Sequence, residues 1–327
     1  MNDFPPILSD SEFLHPLKRR RAGGGPCYAM YSSWVGGIVT DPALMLVPVD
    51  DHGVHRGDGV FETIKCVRGA LYNLRAHLDR LERSAGVIDL ALPECRDGLT
   101  DRLVETVHAG GHRDCVVRMI VTRGPGSLGV NPYDCPEPQL YILAAGLPAP
   151  FMESHPGGAR AGLSAIPARS APLARIKSIN YLPNVLMKKE AVDRDLDFVL
   201  ALDAEGYVSE GSIENVALID AEGRLVTPSG DRFLEGTTVG RVLELADTHG
   251  GGEITGRDTR RLTPDDLYKA REVLMTGTTI DVSAVVEFEG RPVGNGKPGP
   301  GYKRLNTLLR RDILENPAMR TPVFPAA

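Results

Sequence analysis

The sequence predicts an α+β protein with two domains. Domains average roughly 150 residues, so a chain of 327 residues has room for two. Strand patterns and helical patterns alternate irregularly, and no fixed-period repeat is present. A stretch rich in proline and glycine marks the boundary. We therefore predict an N-terminal arm at 1–26, a small α+β domain at 27–146, a connection at 147–158 and a larger domain at 159–327.

The first half carries the pattern of a β-hairpin followed by a helix. β-branched and aromatic residues alternate over Gly59–Val67, and Arg68-Gly69 supplies a turn into Ala70–Tyr72. Leucines at helical spacing place one apolar face on a helix over Leu74–Ala85, and Arg80 points away from that face. The other predicted elements of this half are a helix at Leu99–His108 and strands at Cys115–Thr122 and Gln139–Ala144.

The second half mixes short strands with helices. The predicted strands are Ala161–Ile166, Phe198–Asp203, Asn215–Asp220, Glu272–Thr276 and Val282–Phe288. The predicted helices are Leu182–Arg194, Thr238–Thr248, Pro264–Ala270 and Tyr302–Leu314.

Composition excludes several classes of protein. The 37 Lys and Arg residues and 43 Asp and Glu residues give a net charge of −6, which argues against nucleic-acid and polybasic membrane binding. No run approaches the roughly 18 apolar residues of a membrane span. The 5 cysteines lack a CxxC pair, so neither a disulfide framework nor a metal site is indicated. The N-terminus lacks a secretory signal, and its basic run at 18–21 indicates a solvated, partly mobile arm. We expect a cytoplasmic protein.

Three local features suggest a phosphate or a cofactor, and each has a plainer interpretation. Thr237 and Thr238 open a helix, where free N–H groups attract an anion or where a threonine simply caps the helix. Thr278 and Thr279 follow an apolar strand and a glycine, as a ligand-binding turn or a plain loop would. Lys177 precedes a helix among isoleucines, and partial burial would lower its pKa towards that of a nucleophile, although most lysines are solvated.

Two other kinds of site are disfavoured. The segment 50–58 clusters His52 and His55 with carboxylates, but its glycines indicate turning backbone, so a polar loop is preferred to a metal site. A serine hydrolase is disfavoured because the Gly-x-Ser-x-Gly motif is absent.

Six motifs between Tyr31 and Lys297 carry a family resemblance. They are His55-Arg-Gly-Asp-Gly-Val-Phe-Glu62, His77-Leu-Asp-Arg-Leu81, Lys177-Ser-Ile-Asn-Tyr181, Val208-Ser-Glu-Gly-Ser-Ile-Glu-Asn215, Leu234-Glu-Gly-Thr-Thr238 and Gly277-Thr278. In this order they resemble the class IV, or fold type IV, pyridoxal-phosphate-dependent aminotransferases. That family includes D-amino-acid transaminases, branched-chain aminotransferases and 4-amino-4-deoxychorismate lyases. The resemblance implies an α+β two-domain fold type IV enzyme.

The resemblance also assigns roles around pyridoxal 5'-phosphate. It makes Lys177 the residue that forms a Schiff base with the cofactor and then moves the proton between substrate Cα and cofactor C4′. Glu210 would face the pyridine nitrogen, and Tyr181 the phenolic oxygen. The residues implied for the phosphate are Arg80, Thr237, Thr238 and Thr278.

The substrate side departs from the familiar bacterial D-amino-acid transaminases, because Phe61 stands where they have a substrate-binding tyrosine. The loop at 124–132 lacks their arginine and histidine and looks more like that of branched-chain enzymes. Several segments look like plant-type D-amino-acid transaminases, among them Tyr31–Asp41. The resemblance therefore favours transfer of an amino group from a D-amino acid to a 2-oxo acid, with substrate contacts from Arg56, Phe61, Arg118, Thr278 and Thr279.

Several alternatives stay open at this point. Arg56 and Arg118 could jointly hold the substrate carboxylate, while Arg118 also matches an arginine of the branched-chain enzymes. A branched-chain L-amino-acid aminotransferase or an aminodeoxychorismate lyase is possible within the family. A non-catalytic phosphate- or nucleotide-binding protein is the alternative from another class. The family further implies a homodimer in which a loop of one subunit reaches the site of the other.

Overall fold

A computed structural model describes residues 5–19, 26–229, 233–249 and 251–325. Its strands are β1 Cys27–Ser32, β2 Gly37–Val39, β3 Gly59–Val67, β4 Ala70–Tyr72, β5 Cys115–Thr122, β6 Gln139–Ala145, β7 Ala159–Leu163, β8 Phe198–Leu200, β9 Asn215–Ile219, β10 Arg224–Pro228, β11 Gly256–Arg260, β12 Glu272–Gly277, β13 Asp281–Phe288, β14 Arg291–Pro292 and β15 Arg320–Pro322. Its helices are α1 Asp10–Arg19, α2 His52–His55, α3 Leu74–Val87, α4 Arg96–Gly110, α5 Phe151–Ser154, α6 Leu182–Asp193, α7 Thr237–His249, α8 Pro264–Lys269 and α9 Pro300–Glu315.

The first sheet is antiparallel and is covered by α3 and α4. Its strand order is β15-β4-β3-β5-β6-β1-β2. The apolar face of α3, with Leu78 and Leu81, packs on β3, where Ile64 is fully buried. Leu99 and Leu103 of α4 join the same core. This core explains why the leucine spacing of α3 predicted that helix from sequence.

The second sheet is mixed, with the strand order β11-β10-β9-β12-β13-β7-β8 and β14 paired to β13. The β10–β11, β13–β7 and β7–β8 pairs are parallel, and the other pairs are antiparallel. Helices α7 and α9 pack on this sheet through Val242, Leu245, Leu305 and Leu309. The predicted α+β class is thereby confirmed, and the strands form two sheets.

Most predicted elements are present, with ends shifted by a few residues. The strand expected at Ala161–Ile166 is β7, which ends at Leu163, and the strand expected at Phe198–Asp203 is β8, which ends at Leu200. The segment 50–58, expected as a loop, contains one helical turn, α2, because the Asp51 side chain accepts a hydrogen bond from Gly53 N at 2.7 Å and caps it.

Helix α1 and strand β15 are among the elements that the sequence did not predict. Helix α1 lies in the predicted arm, of which residues 1–4 and 20–25, including half of the basic run, are outside the described residues. Strand β15 pairs with β4, so the end of the predicted second domain completes the first sheet. The predicted domain bounds stay a prediction, but the chain returns to the first sheet at β15 after forming the second. No helix in the described part of the chain is long and apolar enough to cross a membrane.

Candidate active site

Lys177 lies where the second half of the chain crosses back to the first sheet. Its carbonyl accepts a hydrogen bond from Phe61 N at 2.9 Å, and its own N–H donates to Ser84 Oγ of α3 at 3.2 Å. The next residue but one, Ile179, donates from N to Gly59 O at 3.0 Å. Lys177 is therefore held by the backbone of β3, although the connection separates it from that strand in sequence.

The Lys177 amine is buried between two aromatic rings. Nζ lies 4.6 Å from the centroid of the Phe61 ring and donates a hydrogen bond to Tyr181 Oη at 3.3 Å. The two rings meet edge to face at 5.0 Å. Burial, aided by the charge of Arg80, lowers the pKa of Lys177 to about 8. Burial raises the pKa of Tyr181 to about 12, so its phenol stays protonated at neutral pH.

Glu210 lies in the same pocket and is held by a backbone N–H group and an arginine. Its Oε2 accepts a hydrogen bond from Leu234 N at 3.1 Å, and its Oε1 lies 3.9 Å from Nη2 of Arg169. Arg169 also lies over the Tyr181 ring at 5.9 Å. Burial raises the pKa of Glu210 to about 7, although the charge of Arg169 opposes the rise.

Arg80 is oriented by a buried carboxylate. Nε and Nη2 of Arg80 each donate a 2.7 Å hydrogen bond to Glu62, one to each carboxylate oxygen. His77 Nδ1 lies 2.7 Å from Glu62 Oε2, and His77 Nε2 lies 3.4 Å from Thr237 Oγ1. Burial alone would raise the pKa of Glu62, but the Arg80 guanidinium outweighs it and lowers the pKa to about 2. The remaining Arg80 nitrogen, Nη1, donates to Glu235 O at 3.1 Å.

The start of α7 meets Arg80 at this end of the pocket. Gly236 precedes Thr237, the first residue of the helix, and a Cβ at Gly236 would lie 1.8 Å from Asn215 Oδ1. Glycine is thus required for the close approach of this turn to Asn215, whose Nδ2 donates to Leu234 O at 2.8 Å. The first N–H groups of α7 have no partner within the helix and carry the positive end of its dipole.

The structure brings six of the predicted residues into one pocket, called here the Lys177 pocket. They are Arg80, Lys177, Tyr181, Glu210, Thr238 and Thr278. Thr237 lines a different cleft beside α7. Its Oγ1 lies 3.4 Å from His77 Nε2, and His77 in turn contacts Glu62, the partner of Arg80. Phe61 closes the Lys177 side through its ring contacts with Lys177 and Tyr181.

The groups in this pocket suit pyridoxal phosphate. A guanidinium, a helix start and a threonine at one end can hold a phosphate, as a buried amine can hold an aldehyde and a carboxylate a pyridinium nitrogen. Asn184 Oδ1, in the same pocket, is buried and has no hydrogen-bond partner among the described residues. A buried acceptor of this kind is normally completed by a ligand or water.

The other predicted substrate residues lie outside the Lys177 pocket. Arg118 is exposed on β5, and its guanidinium lies over the Phe61 ring, 5.6 Å from the ring centroid. Thr279 lines a neighbouring cavity. Arg56 is exposed and bonds to backbone carbonyls, donating from Nε to Gly129 O at 2.9 Å and from Nη2 to Leu128 O. The structure thus does not bring Arg56 and Arg118 together around Lys177 within one chain.

Four residues of the site have roles that the sequence did not predict. Glu62 and His77 stand inside quoted motifs, so their presence was visible, but their pairing with Arg80 depends on the packing of α3 on β3. Arg169 and Asn184 carry no local signal, since Arg169 comes from a loop and Asn184 looks like an ordinary residue of α6.

Comparisons with known proteins agree with this geometry. The family described as amino-transferase class IV matches residues 59–288. A chloroplastic D-amino-acid transaminase of Arabidopsis thaliana is 38% identical over 314 residues, which cover 95% of this chain and 83% of that protein. A putative branched-chain-amino-acid aminotransferase of Methanocaldococcus jannaschii is 32% identical over 281 residues, which cover 85% of this chain and 94% of that protein.

A solved structure extends the agreement to the fold. A T.th. branched-chain amino acid aminotransferase with pyridoxamine 5'-phosphate is 30% identical, with a TM-score of 0.85, and the match covers 92% of this chain and all of that chain. Fold and pocket together define a pyridoxal-phosphate-dependent enzyme of fold type IV. The chain belongs to the class IV aminotransferases, which confirms the predicted family, enzyme class and cofactor and sets aside the non-catalytic alternative.

Proposed function

We propose that this aminotransferase takes its amino group from a D-amino acid and passes it to a 2-oxo acid. The observation that carries the proposal is the 38% identity to a D-amino-acid transaminase along 95% of the chain. The match spans both sheets and every residue of the Lys177 pocket. A cytoplasmic location stays a prediction.

In this proposal Lys177 is the catalytic residue and Tyr181, Glu210 and Arg80 bind the cofactor. A pKa near 8 leaves part of the Lys177 amine neutral at neutral pH, so Nζ can act as a nucleophile and then take up the proton released from substrate Cα. Bound pyridoxal phosphate supplies the electron sink for that carbanion. Glu210 would hold a proton at the pyridine nitrogen, and Tyr181 would orient the phenolic oxygen.

Arg118 is the substrate-carboxylate residue that the geometry favours. Its guanidinium makes no hydrogen bond or ion pair with any described residue. It is exposed and stacks on Phe61, whose ring touches Lys177 Nζ. The Arg118 guanidinium has no ion-pair partner among the described residues and is separated from the Lys177 amine by the Phe61 ring. It is therefore suited to a substrate carboxylate, to which arginine can donate two parallel hydrogen bonds. Thr278 lines the same pocket, whereas Thr279 lines the neighbouring cavity.

A half-reaction screen tests the choice of substrate. The wild-type holoenzyme is mixed with single amino acids, and the loss of visible absorbance from Lys177-bound cofactor is followed. We expect rapid loss with D-alanine or D-methionine. Rapid loss with L-leucine or L-valine, and none with the two D-amino acids, would overturn the proposal. Aminodeoxychorismate forms a third arm, in which release of pyruvate would instead identify a lyase.

The second candidate is a branched-chain L-amino-acid aminotransferase. It is favoured by the TM-score of 0.85 to such an enzyme and by the Gly129-Val-Asn-Pro132 loop. In that case Arg118→Ala should raise KM for L-leucine and L-valine, whereas in a D-amino-acid enzyme it should raise KM for D-alanine and D-methionine. Equal KM and kcat in Arg118→Ala and wild type would remove Arg118 from the site altogether.

We also propose a homodimer in which Arg56 serves the partner's site. Arg56 is exposed and ties itself to the 124–132 loop, away from the Lys177 pocket of its own chain. Large apolar side chains around it are open to solvent, with Val54 at 55%, Leu128 at 74% and Val130 at 80% exposure. Exposed apolar groups gathered around a tethered arginine are typical of a protein–protein contact.

Mixed dimers test this arrangement. Lys177→Ala and Arg56→Ala subunits, each weak alone, are unfolded together and refolded. If Arg56 acts across the dimer, the hybrid contains one site with both Lys177 and a partner arginine, and activity returns. If Arg56 acts within its own chain, every site of the hybrid lacks one residue and activity stays low. Sedimentation of the wild type as a monomer would contradict the dimer directly.

A further inference from the structure

A buried ion pair joins the two sheets beside the Lys177 pocket. Lys65 on β3 donates a hydrogen bond from Nζ to Oδ1 of Asp281, the first residue of β13. Their side chains are only 7% and 6% exposed. Lys65 Nζ also lies 5.9 Å from the centroid of the Tyr72 ring. Burying two charges carries a desolvation penalty that their attraction often fails to offset, so stability alone does not explain the pair.

Lys65 shares a strand and a strand face with Phe61. Side chains an even number of residues apart point to the same side of a strand, and β3 carries both residues. The Phe61 ring is the group that contacts Lys177 Nζ. Lys65 and the aromatic wall of the Lys177 pocket therefore stand on the same face of one strand.

Asp281 ends the turn that carries Thr278 and Thr279. It pairs with Gly277 across the β12–β13 hairpin and has a φ of +57°, in the left-handed region. Thr278 lines the Lys177 pocket, whereas Thr279 lines the neighbouring cavity together with Lys65 and Asp281. Holding the Asp281 carboxylate thus holds the turn on which both threonines stand.

We propose that Lys65 and Asp281 are positioning residues whose ion pair holds the Thr278–Ile280 turn against β3, which fixes the separation of Thr278 and Phe61. The inference rests on the cofactor and substrate roles proposed above for those two residues. Neither partner touches a reacting atom. A charge pair suits this task because its hydrogen bond has one favoured direction, whereas apolar side chains of similar size could slide past each other.

The test removes both charges together. The Lys65→Met/Asp281→Asn variant leaves no buried charge unpaired, and asparagine tolerates the left-handed backbone at 281. Apoprotein is titrated with pyridoxal phosphate, and the melting temperature is measured with and without saturating cofactor. We expect the apoprotein to melt within a few degrees of wild type, while the dissociation constant for pyridoxal phosphate rises about tenfold and its stabilising effect shrinks.

Two further variants separate positioning from general stability. Lys65→Arg keeps a charged donor and should recover most of the cofactor affinity. Glu153→Gln/Arg310→Met removes a pair with a 2.9 Å contact that lines the same cavity. Among the described residues this pair makes no hydrogen bond or ion pair with β3 or the turn, so affinity should stay at the wild-type value. The proposal is overturned if the Lys65/Asp281 double variant binds cofactor as wild type does. It is also overturned if that variant melts far below wild type and Lys65→Arg recovers nothing.

These readouts do not depend on which amino acid is the substrate. If the wild type reacts with none of the D-amino acids tested, the proposed function fails, while the cofactor titrations still decide the role of Lys65 and Asp281. KM and kcat for whichever donor reacts add a further check, since a displaced turn should raise KM as well as lower kcat.

Discussion

Glu62 accepts two parallel hydrogen bonds of 2.7 Å from Arg80, and both side chains are buried between β3 and α3. The carboxylate orients the guanidinium, leaving Nη1 free of Glu62 and directed towards the start of α7. His77 completes the far side of the carboxylate. Arg80 therefore lies in the Lys177 pocket already oriented for its proposed contact with the cofactor phosphate, and little of its side-chain freedom is left to lose on binding.

Replacing Glu62 by glutamine should destabilise the protein strongly. The amide nitrogen cannot accept a hydrogen bond from Arg80, so a buried positive charge is left without its counterion, at a cost of about 3 to 5 kcal/mol. Urea unfolding of the apoprotein measures the loss. Glu82→Gln is the matched control, since Glu82 pairs with Arg96 at a partly exposed position and should cost below about 1 kcal/mol. Similar losses in both variants would contradict a special role for the buried pair.

Removing the Lys177 amine should abolish transamination. Lys177→Ala lacks the nucleophile and the base, so kcat should fall by about 10³-fold or more. The visible absorbance of the purified protein should also shift, because the cofactor can no longer bond covalently to the chain. Lys188→Ala on α6 should behave as wild type, since Lys188 is exposed and its Nζ donates to Asp197 O at 3.2 Å. A Lys177→Ala enzyme with ordinary kcat would refute the assignment.

Glu210→Gln should impair chemistry more than cofactor binding. A neutral amide cannot keep a proton on the pyridine nitrogen, so we expect kcat to fall by about 10²-fold. The dissociation constant for pyridoxal phosphate should change far less, because the contacts proposed for the phosphate stay intact. Glu214→Gln serves as the control, since Glu214 accepts hydrogen bonds from Ile213 N and Ser212 Oγ of its own turn. Equal effects of the two substitutions on kcat would exclude a specific role for Glu210.

The pKa of Glu210 predicts how apoprotein stability depends on pH. Burial raises this pKa from 4.5 to about 7, so the folded state binds more protons than the unfolded state between those values. Stability should fall as pH rises through that window, by roughly 2 kcal/mol given that the side chain keeps 16% exposure. Urea titrations at pH 5 and pH 7 test this, and Glu210→Gln should flatten the difference. Lys177 affects stability at higher pH. Because burial lowers its pKa from 10.5 to about 8, the unfolded state binds more protons between these two values, and the free energy of unfolding should rise with pH across that window.

Helices and strands were predictable where a local pattern of apolar residues marks the buried face of the element. In α3 and in β3 the pattern lies within one short segment: leucines at helical spacing in α3 and alternating residues in β3. Both elements form as predicted. Strands β2 and β15 are too short to show a period, and β10 was missed although its central residues are buried. Such strands are specified by the neighbours they pair with, which lie far away in sequence.

The same reasoning applies to the site. Lys177, Tyr181 and Glu210 stand in motifs that the sequence alone makes visible. Arg169 reaches Glu210 from a loop, and no spacing relates the two residues. The segment around Arg56 was predictable as polar. Only the structure shows that Arg56 bonds to the 124–132 loop and so lies outside the Lys177 pocket of its own chain.

The pairing of β15 with β4 has a consequence for how the chain is made. Residues 320–322 leave the ribosome long after β4, so β4 is synthesised well before the strand that covers its edge. Until then its free N–H and C=O groups are available to other nascent chains. The first sheet closes only after the second sheet has been synthesised, and Arg320 then bonds through Nη2 to Val67 O at 3.1 Å. The first sheet can thus be completed only after the residues of the second sheet have been synthesised.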